Sequence, residues 1–459
     1  MQSASLVTPS SQSAPSLPPG PKLPTFLQLF RWIRQPIPFM EECARRYGDC
    51  FTIRFPFGPG TIVFFSDPEA IKEIFTGDPD QLRAGEANVV VRPFLGQNSL
   101  LLLDGTRHLH ERRMMMPPFH GERMQVYGEV MREITDRAIE RWSVGRPFAI
   151  HPPMQQITLN VILRTVFGID ESLTLARLRD LLTEVLARGA NPLTLLPWFQ
   201  VDLGPRSPWG KLVRLRREIN QLLFAEFAQR RAEGRAGRED VLAMLIEAQD
   251  EAGQPMTDLQ LRDELMTLLV AGHETTATSL AWVFYRVLNR TDVLEKLRAE
   301  LHQVIGSGPL TPQHIAKLEY LDATIKETQR LNPILPIVAR VLKSPARIGG
   351  RDLPAGISVA PCIYLTHRRS ALWSNPEQFM PERFVGKKPS PYEFFPFGGG
   401  IRHCLGAAFA LYEMKIVLAE ILLRTQLRAA PGHTIRVVRR AITFAPSEGM
   451  PVILDARIP

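Results

Sequence analysis

The chain has 459 residues, of which 45% are apolar and 22% are charged, a composition typical of a globular protein with a large buried core. Its 55 basic and 47 acidic residues give a formal charge of +8, but the two kinds are interspersed, which argues against a nucleic-acid interface. The four cysteines include no Cys-x-x-Cys pair. A zinc site and a disulfide framework are therefore disfavoured, and a reducing cytoplasm is expected.

The N-terminal residues 1–20 are rich in Ser, Gln and Pro and predict a disordered tail before a single domain over residues 21–459. They contain neither a basic segment nor an apolar run, so we expect no signal peptide and no transmembrane anchor. The patterns that follow predict a helix at 36–48, strands at 50–55 and 61–66, a long loop at 82–104, and helices at 104–116, 122–142, 154–167, 174–187 and 211–232.

Two connecting segments in this first half are unusual. Residues 191–199 are apolar but interrupted by prolines, which indicates a lid over an apolar pocket, a surface that touches membrane, or a loop packed on the core. Residues 230–238 are basic and contain glycine, and we expect them to remain solvated.

A long helix is predicted over residues 257–288, with Ala271-Gly272-His273-Glu274-Thr275-Thr276 at its middle. Glycine there costs about 1 kcal/mol relative to alanine, and threonines can bond back to earlier carbonyls and open the helix. Such a defect beside an acid indicates a functional site. The alternative is threonine facing inward in an ordinary buried helix.

The last third of the chain alternates between helices and short strands. A helix at 318–331 is ended by Pro333, and an apolar helix is predicted at 407–423. The strand-like segments would complete the small sheet that begins near the N-terminus, and they lie at 334–341, 348–359 and 435–453.

One segment places a single thiol between a run of glycines and an apolar helix: Phe397-Gly398-Gly399-Gly400-Ile401-Arg402-His403-Cys404-Leu405-Gly406. Backbone N–H groups, a helix N-terminus and the cation of Arg402 would stabilise a thiolate there. A lone cysteine is more often a small buried apolar residue. A phosphate-binding loop is disfavoured, because neither Gly-Lys-Ser/Thr nor a dinucleotide fingerprint accompanies the glycines. We interpret Cys404 as a haem-iron ligand.

The pattern Phe-x-x-Gly-x-Arg-x-Cys-x-Gly resembles the haem-binding signature of the cytochrome P-450 superfamily, and the later segments resemble its bacterial fatty-acid hydroxylase-like branch. The resemblance implies a mainly α fold with a small β region. Haem b (iron protoporphyrin IX) would lie between the long helix and the cysteine loop, with Cys404 as the metal ligand. His108, Arg112 and Arg340 would bind the haem propionates, and Phe397 and Arg402 complete the implied cofactor-binding set.

Two further motifs carry implied roles. Glu274 would supply protons during dioxygen activation, and Thr275 would hydrogen-bond the oxygen. Glu327 and Arg330 resemble the Glu-x-x-Arg pair of the family, and Arg383 belongs to its Pro-Glu-Arg-Phe segment. We expect these three to form a buried network that holds the cysteine loop.

The implied reaction uses two electrons to activate dioxygen and inserts one oxygen atom into a C–H or double bond of an apolar molecule. Candidate substrates are fatty acids, terpenoids and steroids, in that order. We expect a monomer that receives electrons from a separate ferredoxin or flavodoxin with its reductase. An acidic partner would dock on basic residues near the thiolate: Arg112, Arg113, Arg402 and Lys415.

Two alternatives keep the haem but change the function. A peroxide-using or rearranging haem-thiolate enzyme typically lacks the acid–threonine pair that Glu274 and Thr275 supply. A non-catalytic haem sensor or carrier is disfavoured by the apolar lid and access loops.

Overall fold

The computed structural model describes residues 17–57, 60–119, 121, 123–169, 173–189, 200–204, 206–234, 237–306, 308–440 and 442–458. The predicted apolar loop at 191–199 lies outside these ranges, as do residues 1–16 of the predicted tail. Residues 17–20 lie against the first strand, where the N–H and Oγ1 of Thr52 donate to the carbonyls of Pro19 and Pro18 at 3.0 and 2.6 Å.

The fold is mainly α with a small β region, as predicted. Its helices, in chain order, are α1 (Thr25–Arg34), α2 (Pro36–Tyr47), α3 (Pro68–Thr76), α4 (Ala84–Ala87), α5 (Arg92–Leu95), α6 (Gly105–Met115), α7 (Arg123–Ile139), α8 (His151–Thr165), α9 (Leu173–Gly189), α10 (Pro208–Glu233), α11 (Val241–Glu247), α12 (Asp258–Leu288), α13 (Thr291–Ile305), α14 (Pro312–Ile315), α15 (Glu319–Leu331), α16 (Ile363–Thr366) and α17 (Ala407–Arg424).

The strands form small sheets beside the helices. They are β1 (Cys50–Arg54), β2 (Thr61–Phe65), β3 (Leu82–Arg83), β4 (Pro147–Ala149), β5 (Arg340–Leu342), β6 (Ala346–Ile348), β7 (Arg351–Leu353), β8 (Ser358–Pro361), β9 (Thr425–Ala429), β10 (Val437–Arg440), β11 (Thr443–Pro446) and β12 (Pro451–Arg457). The largest sheet has the order β1-β2-β8-β5-β3, with β2 and β8 parallel, so three strands near the N-terminus join two strands of the last third of the chain. The prediction that the segment 435–453 completes this sheet is wrong, because β10 pairs with β11 and β12 pairs with β4 and β9.

Helix α12 runs through the main core and packs against α8, α10, α13, α15 and α17. It begins with a capping box, in which Thr257 Oγ1 accepts from the N–H of Gln260 and the Gln260 side chain accepts from the N–H of Thr257. Its apolar side chains, such as Leu265, Leu269 and Phe284, are fully buried. No helix among the described residues is long and apolar enough to cross a membrane.

Several secondary-structure predictions are wrong. The segment 82–104 holds β3, α4 and α5 instead of one long loop. The predicted strand at 334–341 shrinks to β5, because Pro336 has no N–H to donate to a sheet. Helices α1, α3 and α13 were not predicted at all.

The basic segment 230–238 is not uniformly solvated either. Arg230 is buried and forms ion pairs with Glu226 at 2.6 Å and with Asp240 at 2.7 Å. It also donates to the carbonyl of Phe167 at 2.8 Å. Two carboxylates and a carbonyl compensate the desolvation of this guanidinium, which therefore ties α10 to the end of α8.

Candidate functional site

The cysteine loop is closed by backbone hydrogen bonds. The N–H of Cys404 donates to the carbonyl of Phe397 at 3.0 Å, and the N–H of His403 donates to the carbonyl of Gly400 at 3.0 Å. Helix α17 begins shortly afterwards at Ala407, so its N-terminus follows the thiol. The loop therefore presents Cys404 at the positive end of an apolar helix.

Two glycines of this loop lie against α3. A Cβ atom on Gly399 would lie 2.3 Å from the ring of Phe75, and one on Gly400 would lie 2.1 Å from the Phe75 carbonyl oxygen. Gly400 also has a φ of +63°, a conformation that side chains disfavour. These glycines allow α3 to pack closely on the loop.

Cys404 has an exposed side chain, yet burial among protein atoms raises its pKa. The thiol therefore faces an interior space. The backbone N–H of Gly406 and the charge of Arg112 act in the opposite direction and lower the pKa of Cys404. Both would favour a thiolate once a metal replaces the proton.

Four basic side chains converge beside this thiol. Burial lowers the pKa of His108 to about 3, and the charges of Arg402, Arg112 and Arg340 add to the effect. Burial also lowers the pKa of Arg340 to about 10. Asp104 offsets the charge of Arg402, with which it pairs at 2.5 Å, and the charges of Arg112 and Arg340 remain in excess.

This cluster fits the propionates of a haem. Arg340 is buried and forms no ion pair with any carboxylate of the described residues; its Nη1 donates to the carbonyl of Ala339 at 2.8 Å. Nδ1 of His108 is buried and has no hydrogen-bond partner among the described residues. Buried cations and donors without anionic partners are unfavourable, so an anionic group would complete the site.

The predicted docking surface for an acidic redox protein is partly wrong. Arg402 is mostly buried and bonds to Asp104 and to the carbonyls of Leu100 and Leu103, so it is not a surface cation. Lys415 is 19% exposed and pairs with Asp322 at 2.5 Å. Arg113 is 71% exposed and pairs with the equally exposed Glu251.

On α12, the predicted acid–alcohol segment has an open face. Ala271 is exposed, although the core-facing residues of the helix are fully buried. The helix is continuous here, so the expected break is absent; Thr275 Oγ1 instead donates to the carbonyl of Ala271 at 2.6 Å. Gly272 has a packing role, because an added Cβ would lie 2.9 Å from Ile162 of α8.

Glu274 lies in a polar network with α8 and β10, which we call the Glu274 network: His151, Gln155, Glu274, Thr278 and Arg440. Gln155 Nε2 donates to Glu274 Oε2 at 2.6 Å, and Thr278 Oγ1 donates to Oε1 at 3.3 Å. His151 Nε2 lies 3.2 Å from Thr278 Oγ1 and 3.6 Å from Glu274 Oε1. The carboxylate is therefore turned towards α8.

The protonation of His151 follows from its partners. Burial, followed by the charge of Arg440, lowers the pKa of His151 to about 3, so the ring is neutral near pH 7. Arg440 Nη1 lies 2.7 Å from Nδ1 and can only donate, which assigns the ring proton to Nε2. That proton points to Thr278 and Glu274.

Sequence reasoning missed His151, Gln155 and Arg440. His151 and Gln155 are four residues apart on α8 and therefore share a face, but this spacing is common and gives little signal. His273, which was not assigned a ligand role, is buried against Thr158, whose Oγ1 lies 3.1 Å from its Nδ1.

The predicted network of Glu327, Arg330 and Arg383 is confirmed. Arg330 donates from Nε and Nη2 to Glu327 at 2.7 and 2.8 Å, and Arg383 Nε lies 3.3 Å from Glu327 Oε1. Arg330 also donates to the carbonyl of His367 at 2.7 Å. His367 Nε2 accepts from the N–H of Phe395, just before the cysteine loop. With His367 added, we call this set the Glu327 network.

The comparisons with known proteins agree with this geometry. Residues 17–449 match the family described as Cytochrome P450. A Mycobacterium tuberculosis protein provisionally named cytochrome P450 135B1 is 41% identical over 441 residues, covering 96% of this chain and 92% of the relative. Cytochrome P450 137 of the same organism, also a provisional name, is 35% identical and covers 89% of this chain and 84% of its own.

Solved structures agree as well. The retinoic acid-bound cyanobacterial CYP120A1 has a TM-score of 0.83 and 26% identity, covering 97% of this chain and 100% of its own. The cytochrome P450DA heme domain has a TM-score of 0.84 and 25% identity, covering 96% of this chain and 97% of its own. With the family match over nearly the whole chain, these relatives establish that the protein belongs to the cytochrome P450 family of haem-thiolate monooxygenases.

Proposed function

We propose that this cytochrome P450 hydroxylates or epoxidises an apolar small molecule with dioxygen and two electrons from a separate ferredoxin or flavodoxin and its reductase. Haem held by a cysteine thiolate supplies the cleavage of the O–O bond when it is bound. The observation that carries the proposal is the combination of an interior-facing Cys404 with the acid–threonine pair on the open face of α12.

The cofactor would be held by this chain in two ways. Cys404 is the proposed iron ligand, with the N–H of Gly406 and the charge of Arg112 favouring its thiolate. Arg340 and His108 are proposed to bind the propionates, because they are buried and the described part of the chain gives them no anionic partner. Arg112, Arg402 and the half-buried Phe397 complete the proposed set.

Proton supply is assigned to Glu274 and Thr275. The carboxylate of Glu274 is linked through Thr278 to the ring proton of His151, so a proton can be held at either end of this link. The Thr275 hydroxyl lies one residue further along α12, on the segment whose Ala271 is exposed. In a site that excludes water, these groups would replace solvent as the proton source.

The decisive experiment is the absorption spectrum of the purified protein, reduced and exposed to carbon monoxide, for the wild type and for Cys404→Ser. Thiolate ligation by Cys404 predicts a red-shifted Soret band that the substitution abolishes. Cys362→Ser is the matched control, because Cys362 is fully buried in the core away from the loop. A spectrum that Cys404→Ser leaves unchanged would exclude the assignment.

The substrate class is proposed from chemistry and from one relative. Fatty acids, terpenoids and steroids are apolar molecules of suitable size, and CYP120A1 was solved with retinoic acid, which is an apolar chain with a carboxylate. Titration with palmitic acid, retinoic acid and a steroid, followed by the spin-state shift of the Soret band, would rank them. The proposal expects at least one to bind and to accelerate reductant consumption.

The same assay separates the alternatives. Turnover with hydrogen peroxide but not with reductant and dioxygen would identify a peroxide-using enzyme. Ligand binding without ligand-dependent reductant consumption would identify a sensor or carrier.

For the redox partner, Arg113 is the exposed cation that the structure leaves at the proposed docking surface. Arg113→Glu is expected to slow reduction by a ferredoxin severalfold at low salt while substrate binding is unchanged, because charge complementarity acts mainly on association. A reduction rate that is equal in both proteins at every salt concentration would contradict this docking surface.

A further inference from the structure

Helix α1 has an exposed apolar face. Phe26 is 63% exposed and Phe30 is 59% exposed, and Leu23, Leu27 and Ile33 are also exposed. These positions are spaced by three or four residues, so they form one stripe along the helix. Large aromatic side chains on a contiguous exposed stripe usually mark an interaction surface.

The opposite face of α1 is firmly attached to the protein. Gln28 is buried, donates to the carbonyl of Leu23 at 2.7 Å and accepts from the N–H of Arg54 at 2.9 Å. Leu29 and Trp32 pack against a core cluster. The helix is therefore fixed by one face, and its second apolar face is not explained by folding.

A second exposed apolar element lies beside α1. It is the hairpin formed by β10 and β11. Three of its apolar side chains are between 38% and 44% exposed: Val437, Val438 and Ile442. The guanidinium of Arg439 in this hairpin lies over the ring of Trp32 at 5.2 Å and over Phe444 at 5.5 Å. The hairpin and α1 therefore contribute to one surface, which we call the α1 surface.

The charges around the α1 surface are basic. Helix α1 contains no acidic residue, and Lys22, Arg34 and Arg436 are exposed beside the apolar side chains. Two nearby acids are already paired: Glu42 forms an ion pair with Arg31 of α1 itself at 2.6 Å, so these two charges offset each other, and Glu41 accepts from Tyr364 at 2.7 Å. Phe and Leu on one face with Lys and Arg at its edges are typical of helices that lie in a lipid interface.

We propose that the α1 surface docks this enzyme on an anionic lipid surface. Phe26 and Phe30 enter the boundary between headgroups and acyl chains, while Lys22, Arg34 and Arg436 contact anionic headgroups. The hairpin β10–β11 then faces the lipid, which would bring the enzyme to apolar molecules dissolved in the bilayer. The docking does not depend on the oxygenase reaction, so it can be tested without turnover.

The test uses the full-length, haem-loaded protein and sedimentation with vesicles. Vesicles of phosphatidylcholine and phosphatidylglycerol at 3:1 are expected to bind the wild type, and pure phosphatidylcholine is expected to bind it more weakly. Phe26→Ser with Phe30→Ser should lower the affinity at least tenfold, because two aromatic rings no longer enter the lipid. Lys22→Glu with Arg34→Glu should weaken binding to the anionic vesicles and reduce its salt dependence.

The matched control is Val126→Ser with Leu259→Ser, which removes apolar side chains that are 44% and 50% exposed on other helices. Its binding should equal that of the wild type. An unchanged Soret band and melting temperature would show that every variant is folded. The proposal is overturned if the wild type binds neither vesicle type, or if the double Phe variant binds vesicles as tightly as the wild type. It is also overturned if the wild type forms dimers without binding vesicles and the double Phe variant is monomeric.

Discussion

The Glu327 network and the Glu274 network both bury charged side chains, but their bonding differs. Glu327 and Arg330 are fully buried and joined by two hydrogen bonds of 2.7 and 2.8 Å. The Glu274 side chain is 23% exposed, and its contacts to Thr278 and His151 are 3.3 and 3.6 Å. The first carboxylate is fixed by two guanidinium groups, whereas the second is held by neutral donors.

From this difference we infer a structural role for the Glu327 network, in contrast to the proton supply proposed for Glu274. A carboxylate held between two arginines fixes its surroundings, which here include the approach to the cysteine loop through His367. A carboxylate that faces neutral hydroxyl, amide and imidazole groups can accept and release a proton without breaking an ion pair.

Glu327→Gln should destabilise the protein by about 3–5 kcal/mol, because it leaves Arg330 and Arg383 buried without their shared carboxylate. Thermal unfolding and haem retention are the measurements, and we expect both to fall. Arg347→Met is the matched control. It removes an exposed ion pair with Asp352, with side chains 69% and 68% exposed, and should change stability by less than about 1 kcal/mol. Equal effects of the two substitutions would contradict a structural role for the Glu327 network.

The Glu327 network could be predicted because its signal is local. Glu327 and Arg330 are one helical turn apart, and Arg383 lies in a short segment with a recognisable pattern. The bounds of α12 were also predictable. Its apolar residues repeat with a helical period over 31 residues, and a capping box marks its start. What the sequence alone did not reveal was His367, whose backbone and ring connect the network to the cysteine loop.

The Glu274 network could not be predicted, because its residues are far apart in the sequence. Its members come from α8, α12 and β10, and they meet through the packing of α8 and of the β10–β11 hairpin on α12. Arg230 was wrongly predicted to be solvated. Its partners Glu226 and Asp240 lie on either side of a polar turn, and the polar composition of that turn predicts exposure to solvent. Helix α1 was missed although its apolar and polar residues repeat with a helical period.

Glu274→Gln should lower the rate of product formation by about 100-fold, because it keeps the shape of the side chain but removes a group that can transfer a proton. The melting temperature should change little, in contrast to Glu327→Gln. The measurement is product formed per reductant consumed, and we expect more hydrogen peroxide and less product. Glu218→Gln, at an ion pair with Arg177, is the control and should leave turnover intact. Wild-type turnover in the Glu274 variant would remove this residue from proton supply.

Acidification should affect both networks through their buried histidines. Burial lowers the pKa of His151 to about 3, so its ring is not protonated in the folded state at pH 5, and burial also lowers the pKa of His367 well below its usual value. The unfolded chain takes up these protons near pH 6.5, so stability falls as the pH decreases from about 6.5 towards 3. At pH 5 the loss is about 2 kcal/mol for His151.

His151→Gln should therefore flatten the dependence of the melting temperature on pH between 7 and 5. The groups that face His151 are Arg440, His273, Thr278 and Glu274, and the substitution retains all four. His433→Gln alters an exposed histidine paired with Glu448 and serves as the control, with a wild-type profile expected. A His151 variant whose melting temperature falls with acid as steeply as the wild type would show that other groups control the acid response.

The smallest expected effect comes from removing a single hydroxyl group, which contacts Glu274 in one variant and lies outside the Glu274 network in the other. Thr278 and Thr328 are both buried threonines in helices. Thr278 Oγ1 contacts Glu274 and His151, whereas Thr328 Oγ1 donates to the backbone carbonyl of Thr324 at 2.8 Å. Thr278→Val should reduce product per reductant about threefold, which corresponds to a hydrogen bond worth about 0.7 kcal/mol. Thr328→Val should leave this ratio unchanged. Because both substitutions preserve side-chain shape and burial, equal ratios would mean that the link from His151 to Glu274 carries no proton and only positions α8 on α12.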